Sequence, residues 1–178
     1  MVLLTFFLFA CNDQKPAAEK MESTVDSVAA SMTKTKPVEF ADQKYTEIGK
    51  KGLASLSSGD IDAWMSNFAD NAVYLWNNGD SLAGKAAITA YWKKRRGEVI
   101  DSISFANDIW LAIKVNQPQS VEQPGIWLLG WYATSAKYKT GKRMSQWIHA
   151  DSHFDANGKI DRVIQYLDRA PINAALKK

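Results

Sequence analysis

The chain has 178 residues, 46% of them hydrophobic and 23% charged, which suits one globular domain with additional chain. The net charge of +3 is small, and the one dense run, Lys93, Lys94, Arg95 and Arg96, reads as the solvated, cation-rich end of a helix. A nucleic-acid partner needs a larger, one-sided excess and is not expected, and a single cysteine, Cys11, excludes an internal disulfide or a multi-cysteine metal centre.

In chain order, residues 2–10, VLLTFFLFA, form an apolar run well short of the about 20 residues that span a bilayer. It has the length of a signal-peptide core. It ends in Leu8-Phe9-Ala10-Cys11, which resembles the bacterial lipobox, where a small residue precedes the cysteine. That resemblance implies a signal peptide over 1–10, cleavage before Cys11 and lipidation of Cys11. The product is an exported lipoprotein held in the bacterial cell envelope by acyl chains, each buried CH₂ contributing about 0.8 kcal/mol. The pattern's basic n-region is missing, because no Lys or Arg precedes the apolar run. Residues 11–40 read as the lipidated cysteine and a flexible tether. The stretch NDQKPAAEKMESTVDSVAASMTKTKP holds no aromatic and too little apolar surface to offset its ordering entropy.

Residues 41–178 carry the domain. Tyr45, Ile48, Leu53 and Leu56 fall near helical spacing, and Ser57-Ser58-Gly59 ends the run. Asp60 is a good N-cap for a second helix with Ile61, Trp64, Met65 and Phe68 on one face. Asp70-Asn71 turns the chain into a short strand over 72–76, closed by Asn77-Asn78-Gly79-Asp80. A third helix is predicted from Lys85 to Arg96, with Ile88, Tyr91 and Trp92 as its apolar stripe. Strands follow over 103–115, 126–138, 144–154 and 160–167. A polar loop over 116–125 and turns at 139–142 and 155–158 separate them. Helices followed by antiparallel strands are an α+β pattern, and the long strands predict a strongly curved sheet wrapping the helices.

The segments GDIDAWMSNFADNAVYLW, GDSLAGKAAITAYW and FDANGKIDRVIQYLD resemble the SnoaL-like branch of the nuclear transport factor 2-like superfamily, over nearly all of residues 43–168. The resemblance implies a cone: three N-terminal helices packed on a curved, mostly antiparallel sheet around an apolar pocket open at one end, often dimeric through the sheet. It also covers ketosteroid isomerases, whose chemistry needs a carboxylate base, a tyrosine and a protonated acid. Alignment sets Trp76, Gly52 and Ala150 at those three places, so no steroid isomerase activity is expected.

Two groups of residues carry the functional expectations. The first is Trp147-Ile148-His149-Ala150-Asp151-Ser152-His153, where strand alternation sets Trp147, His149, Asp151 and His153 on one face. His149 and His153 lie about 13 Å apart along such a strand, too far to converge on one ion, so no metal site is expected. Nor does any cofactor motif occur. His149 and Asp151 form an acid–base pair if their face points inward. They form a polar outer face if the more apolar Ile148, Ala150, Ser152 and Phe154 point inward instead. The second group is aromatic: Trp64, Phe68, Trp76, Tyr91, Trp92, Trp131 and Trp147 are candidates for the pocket wall, with Trp76 foremost. Three functions follow: an envelope lipoprotein binding a small apolar or aromatic molecule, a cofactor-independent cyclase, dehydratase or hydrolase using His149 and Asp151, and a homodimeric interaction module.

Overall fold

The computed structural model describes residues 35–118 and 124–177. The signal peptide, Cys11 and all but the last residues of the tether reading lie outside the described residues. The elements run β1 (Val38–Phe40), α1 (Lys44–Ser58), α2 (Ile61–Met65), β2 (Phe68–Trp76), β3 (Ser81–Ala83) and α3 (Lys85–Lys94), which passes into a π-turn (Arg95–Val99). Then come β4 (Ile100–Val115), β5 (Gly125–Tyr138), β6 (Arg143–Phe154), β7 (Ile160–Tyr166) and α4 (Arg169–Leu176). The strands make one sheet in the order β1-β4-β5-β6-β7-β2-β3, antiparallel throughout except for the parallel pair β2–β7. The architecture is α+β, with a mostly antiparallel sheet whose inner face packs against the helices.

Local chemistry sets most boundaries. Gly59 ends α1 in the left-handed region at φ 86°, and Asp60 caps α2 by accepting from the Ala63 amide at 2.9 Å. The second helix is shorter than its apolar spacing suggests, because Phe68 already belongs to β2. There the Ile160 amide donates to the Asn67 carbonyl at 2.8 Å, which pulls the chain into register with β7. At Asp70-Asn71 the strand continues instead of turning, and the disturbance shows as a register shift between Phe68 and Val73. Three elements carry too little periodicity to be read: β1, which lies inside the presumed tether and pairs with the far end of β4, the three-residue β3, and α4.

A bulge decides the faces of β4. Phe105 pairs with Thr134 and Trp110 with Gly130, with the register shifting between Ala106 and Ile109. Asn107 sits there at φ 53°. Strict alternation would send residues 105 and 110 to opposite faces; the extra residue brings both rings inside. Trp110 then lies on bare backbone. A Cβ at Gly130 would come within 2.4 Å of its ring, and one at Gly49 of α1 within 2.8 Å. The rest of the main core is aromatic, with Trp64 edge-to-face against Phe68 at 4.9 Å and against Trp92 at 5.4 Å.

Candidate functional site

The inner face of β6 carries Ile148, Ala150 and Ser152. With Trp64, Phe68, Tyr74, Trp92, Trp110, Tyr132, Thr134 and Gln165 among others, they line an internal cavity of about 90 Å³. That is well below the roughly 150 Å³ that takes a single benzene ring: the aromatic rings of the helices and sheet largely fill the cup. None of the described residues that line it is Asp, Glu, His, Lys or Arg. Its polar groups are neutral. Burial pushes the Tyr132 phenol up to about 12, against the opposing effect of its hydrogen bond with Gln165, and raises Tyr74 well above the ordinary tyrosine value. The indole Nε1 of Trp76 donates to Gln165 Oε1 at 3.0 Å. Thr134 Oγ1 and Trp92 Nε1 are buried without a hydrogen-bond partner among the described residues.

Trp92 and Gln165 also belong to a second hollow of about 170 Å³, between the end of α3 and α4. This mouth is walled by Trp76, Tyr91 and Trp92, roofed by Ile172, Asn173 and Leu176 of α4, and flanked by Arg95 and Arg169. The Trp76 and Tyr91 rings meet at 5.3 Å between centroids. Tyr91 and Arg95 are one helical turn apart, so the guanidinium of Arg95 lies 5.6 Å from the Tyr91 ring centroid. Arg169 lies 5.9 Å from the Trp76 ring and pairs with Asp80 at 2.9 Å. Asp168 anchors the roof as N-cap, accepting from the Ala170 amide at 2.8 Å, while Thr140 Oγ1 donates to the Ala175 carbonyl at 2.6 Å. On the other side, a wide surface cleft of about 710 Å³ between α1 and β4 shares Leu53, Phe105 and Trp110 with the cavity lining.

No family model and no curated protein sequence matches the chain. Solved structures do. A proposed polyketide cyclase from Xanthomonas campestris pv. campestris superposes with a TM-score of 0.61 at 17% identity, covering 76% of this chain and 98% of that one. A second proposed polyketide cyclase, from Pseudomonas putida, gives 0.60 at 18% identity over 74% and 97%. A protein of ketosteroid isomerase-like fold from Catenulispora acidiphila, solved with trimethylamine, gives 0.55 at 10% identity over 73% and 92%. The domain has a nuclear transport factor 2-like fold. Identities this low fix the fold and leave the chemistry to be argued from this chain's own residues.

Within this fold the candidate residues separate into three groups. Trp64 and Phe68 face the cavity as packed core, and Trp76, Tyr91 and Trp92 line the mouth. His149, Asp151, Trp131 and Trp147 lie on the opposite face of the sheet. This corrects the expectation that Trp131 and Trp147 belong to the pocket wall, and of the two faces open to the His–Asp pair it is the outer one that the pair occupies. The physical reason is the apolar alternation of β6, which turns Ile148, Ala150 and Ser152 inward and so turns the odd-numbered residues out. On that outer face His149 Nε2 stands 2.9 Å from Asp151 Oδ1, its Nδ1–H donates to the Gly130 carbonyl at 3.1 Å, and its ring stacks between Trp131 and Tyr166. Burial raises the Asp151 carboxyl above the usual carboxylate value, opposed by the adjacent His149. His153 repeats the motif, with Nδ1 2.6 Å from Asp161 and Nε2–H donating to the Pro124 carbonyl at 3.2 Å. His149 and Asp151 border an outer hollow of about 450 Å³ with Val38, Trp127, Leu129 and Arg162.

The sequence reading missed Arg95, Arg169 and Gln165. Arg95 was legible as the residue one turn after Tyr91, but its place in a basic run made it look like solvent-facing charge. Arg169 and Gln165 gave no local signal, because they reach the mouth through the β7–α4 corner.

Proposed function

We propose that this domain is the small-molecule-binding part of an envelope lipoprotein, and that its ligand is a small apolar or aromatic molecule seated in the mouth beneath α4. The observation that carries the reading is an open hollow walled by Trp76, Tyr91 and Trp92 directly above a cup too full to hold a ligand itself. The described residues that line the cup include no carboxylate, imidazole or amine for the cyclase, dehydratase or hydrolase alternative, and His149 and Asp151 face away from it. Native mass spectrometry of the full chain from its source organism tests the reading. The expected result is a reproducible added mass that is lost in Tyr91→Ala and Trp76→Phe variants; a chain that carries no added mass overturns it. The anchor is tested separately, by incorporation of a labelled fatty acid that disappears in Cys11→Ser.

A second reading has its own support. The outer sheet face exposes Trp147 at 55%, Ile109 at 58% and Tyr166 at 44%, beside the outer hollow. Exposed aromatic and aliphatic side chains on one face suit association of two copies through the sheet. This interface is compatible with ligand binding, because the mouth lies on the other side of the sheet.

A further inference from the structure

We infer that the mouth beneath α4 is a site for a small unsaturated monocarboxylate. The inference deepens the small-molecule reading above and rests on it. It begins from a surplus of donors. Arg169 commits its terminal nitrogens to Asp80 Oδ2 and Asn78 Oδ1, each at 2.9 Å, and its Nε is buried with no acceptor among the described residues. The Trp92 indole N–H, where mouth and cavity adjoin, is buried and equally unpartnered. Arg95 holds the Tyr138 phenol down against the raising effect of its burial, and has no carboxylate in ion-pair range among the described residues. The nearby side-chain acceptor, Gln165 Oε1, is already engaged by Trp76. Buried donors without acceptors cost free energy until something supplies the acceptors.

Charge narrows the class. Asp80 balances Arg169, so the mouth keeps one uncompensated positive charge, that of Arg95. One charge matches a monoanion better than a phosphate dianion, and a guanidinium fork matches a carboxylate in shape. A cationic ligand is disfavoured twice. It would face Arg95, and the aromatic faces that attract cations already have Arg95 over Tyr91 and Arg169 over Trp76. Size and lining set the body of the molecule. The mouth holds about 170 Å³, while a cavity of about 150 Å³ takes a single benzene ring. A flat ring or short conjugated chain against Trp76 and Tyr91, its carboxylate toward Arg95, uses both the walls and the donors.

The test is isothermal titration of the full chain with three acids, benzoate, cinnamate and 1-naphthylacetate, each beside its primary amide. The expected result is that at least one acid binds about tenfold tighter than its amide, the difference of one charged hydrogen-bonded contact. In Arg95→Gln that ratio should collapse to about twofold or less, and in Arg95→Lys it should be partly restored, with unchanged circular dichroism melting showing that both variants fold. Equal binding of acid and amide overturns the inference and leaves the small-molecule reading standing. If no acid binds, the inference falls; native mass spectrometry then separates the cases, since a Tyr91-dependent added mass preserves the parent reading and its absence removes that too.

Discussion

Replacing Gly130 by alanine probes the packing on which the cup depends. The added methyl would sit 2.4 Å from Cζ3, 2.9 Å from Cε3 and 3.1 Å from Cη2 of Trp110. The ring has little room to retreat, because its other contacts include the backbone of Gly49 in α1, where a Cβ would stand at 2.8 Å, and its Nε1–H is tied to Asp108. Overpacking of this kind costs about 1–3 kcal/mol, and a ring held on both sides places the expected loss near the top, about 3 kcal/mol. For a domain of this size that lowers Tm by roughly 10 °C. The sign should reverse once the ring is removed. In a Trp110→Leu background the three ring atoms that the methyl would strike are gone, and alanine in a strand is favoured over glycine by about 0.5–1 kcal/mol. Urea unfolding of the four proteins of the cycle measures this directly. If Gly130→Ala costs the same in both backgrounds, within about 0.5 kcal/mol, the assignment of Trp110 as the ring pressed on that backbone is wrong.

Asp151 gives a pH signature. Its folded value is raised by burial, so the folded state holds the carboxyl proton to higher pH than the unfolded chain does. Its contribution to stability is therefore greatest below the unfolded value and declines as pH rises through the folded one. Unfolding free energies measured from about pH 3 to pH 7 should lose that downward component in Asp151→Asn; an unchanged slope refutes it. Asp168→Ala removes the cap of α4 and should cost about 1 kcal/mol, seen as roughly fivefold faster hydrogen exchange of the α4 amides with the sheet unaffected. Trp147→Asp places a charge on the exposed outer face and should shift the full chain from dimer to monomer in light scattering, without altering its binding at the mouth.

Much of the fold was legible because its signals are local. Helical spacing around Tyr45 and Ile61, the cap at Asp60, the turns at 139–142 and 155–158, and the alternation of β5 and β6 each report on neighbours a few residues away. The alternation of β6 also held the answer to the His149 question, since its apolar members are Ile148, Ala150 and Phe154. What the sequence concealed depends on distant partners. β1 is ordered by β4, some 75 residues on, and Phe68 leaves its helix for a strand 90 residues away. The mouth belongs to the same class. Arg95 and Arg169 are 74 positions apart, and only the closing of β7 beside β2 brings Gln165 under Trp76.

That parallel pairing of β2 with β7 has a consequence in time. A ribosome delivers residues 68–76 long before residues 160–166, so on the nascent chain β2 has only the three-residue β3 beside it. Its buried residues, Phe68, Ala72, Tyr74 and Trp76, must wait until the far end of the chain emerges. The domain is thus completed by its last strand and helix rather than its first. A chain cut before residue 160 would keep every helix that leads into the sheet and still leave β2 with an unpaired edge, open to aggregation.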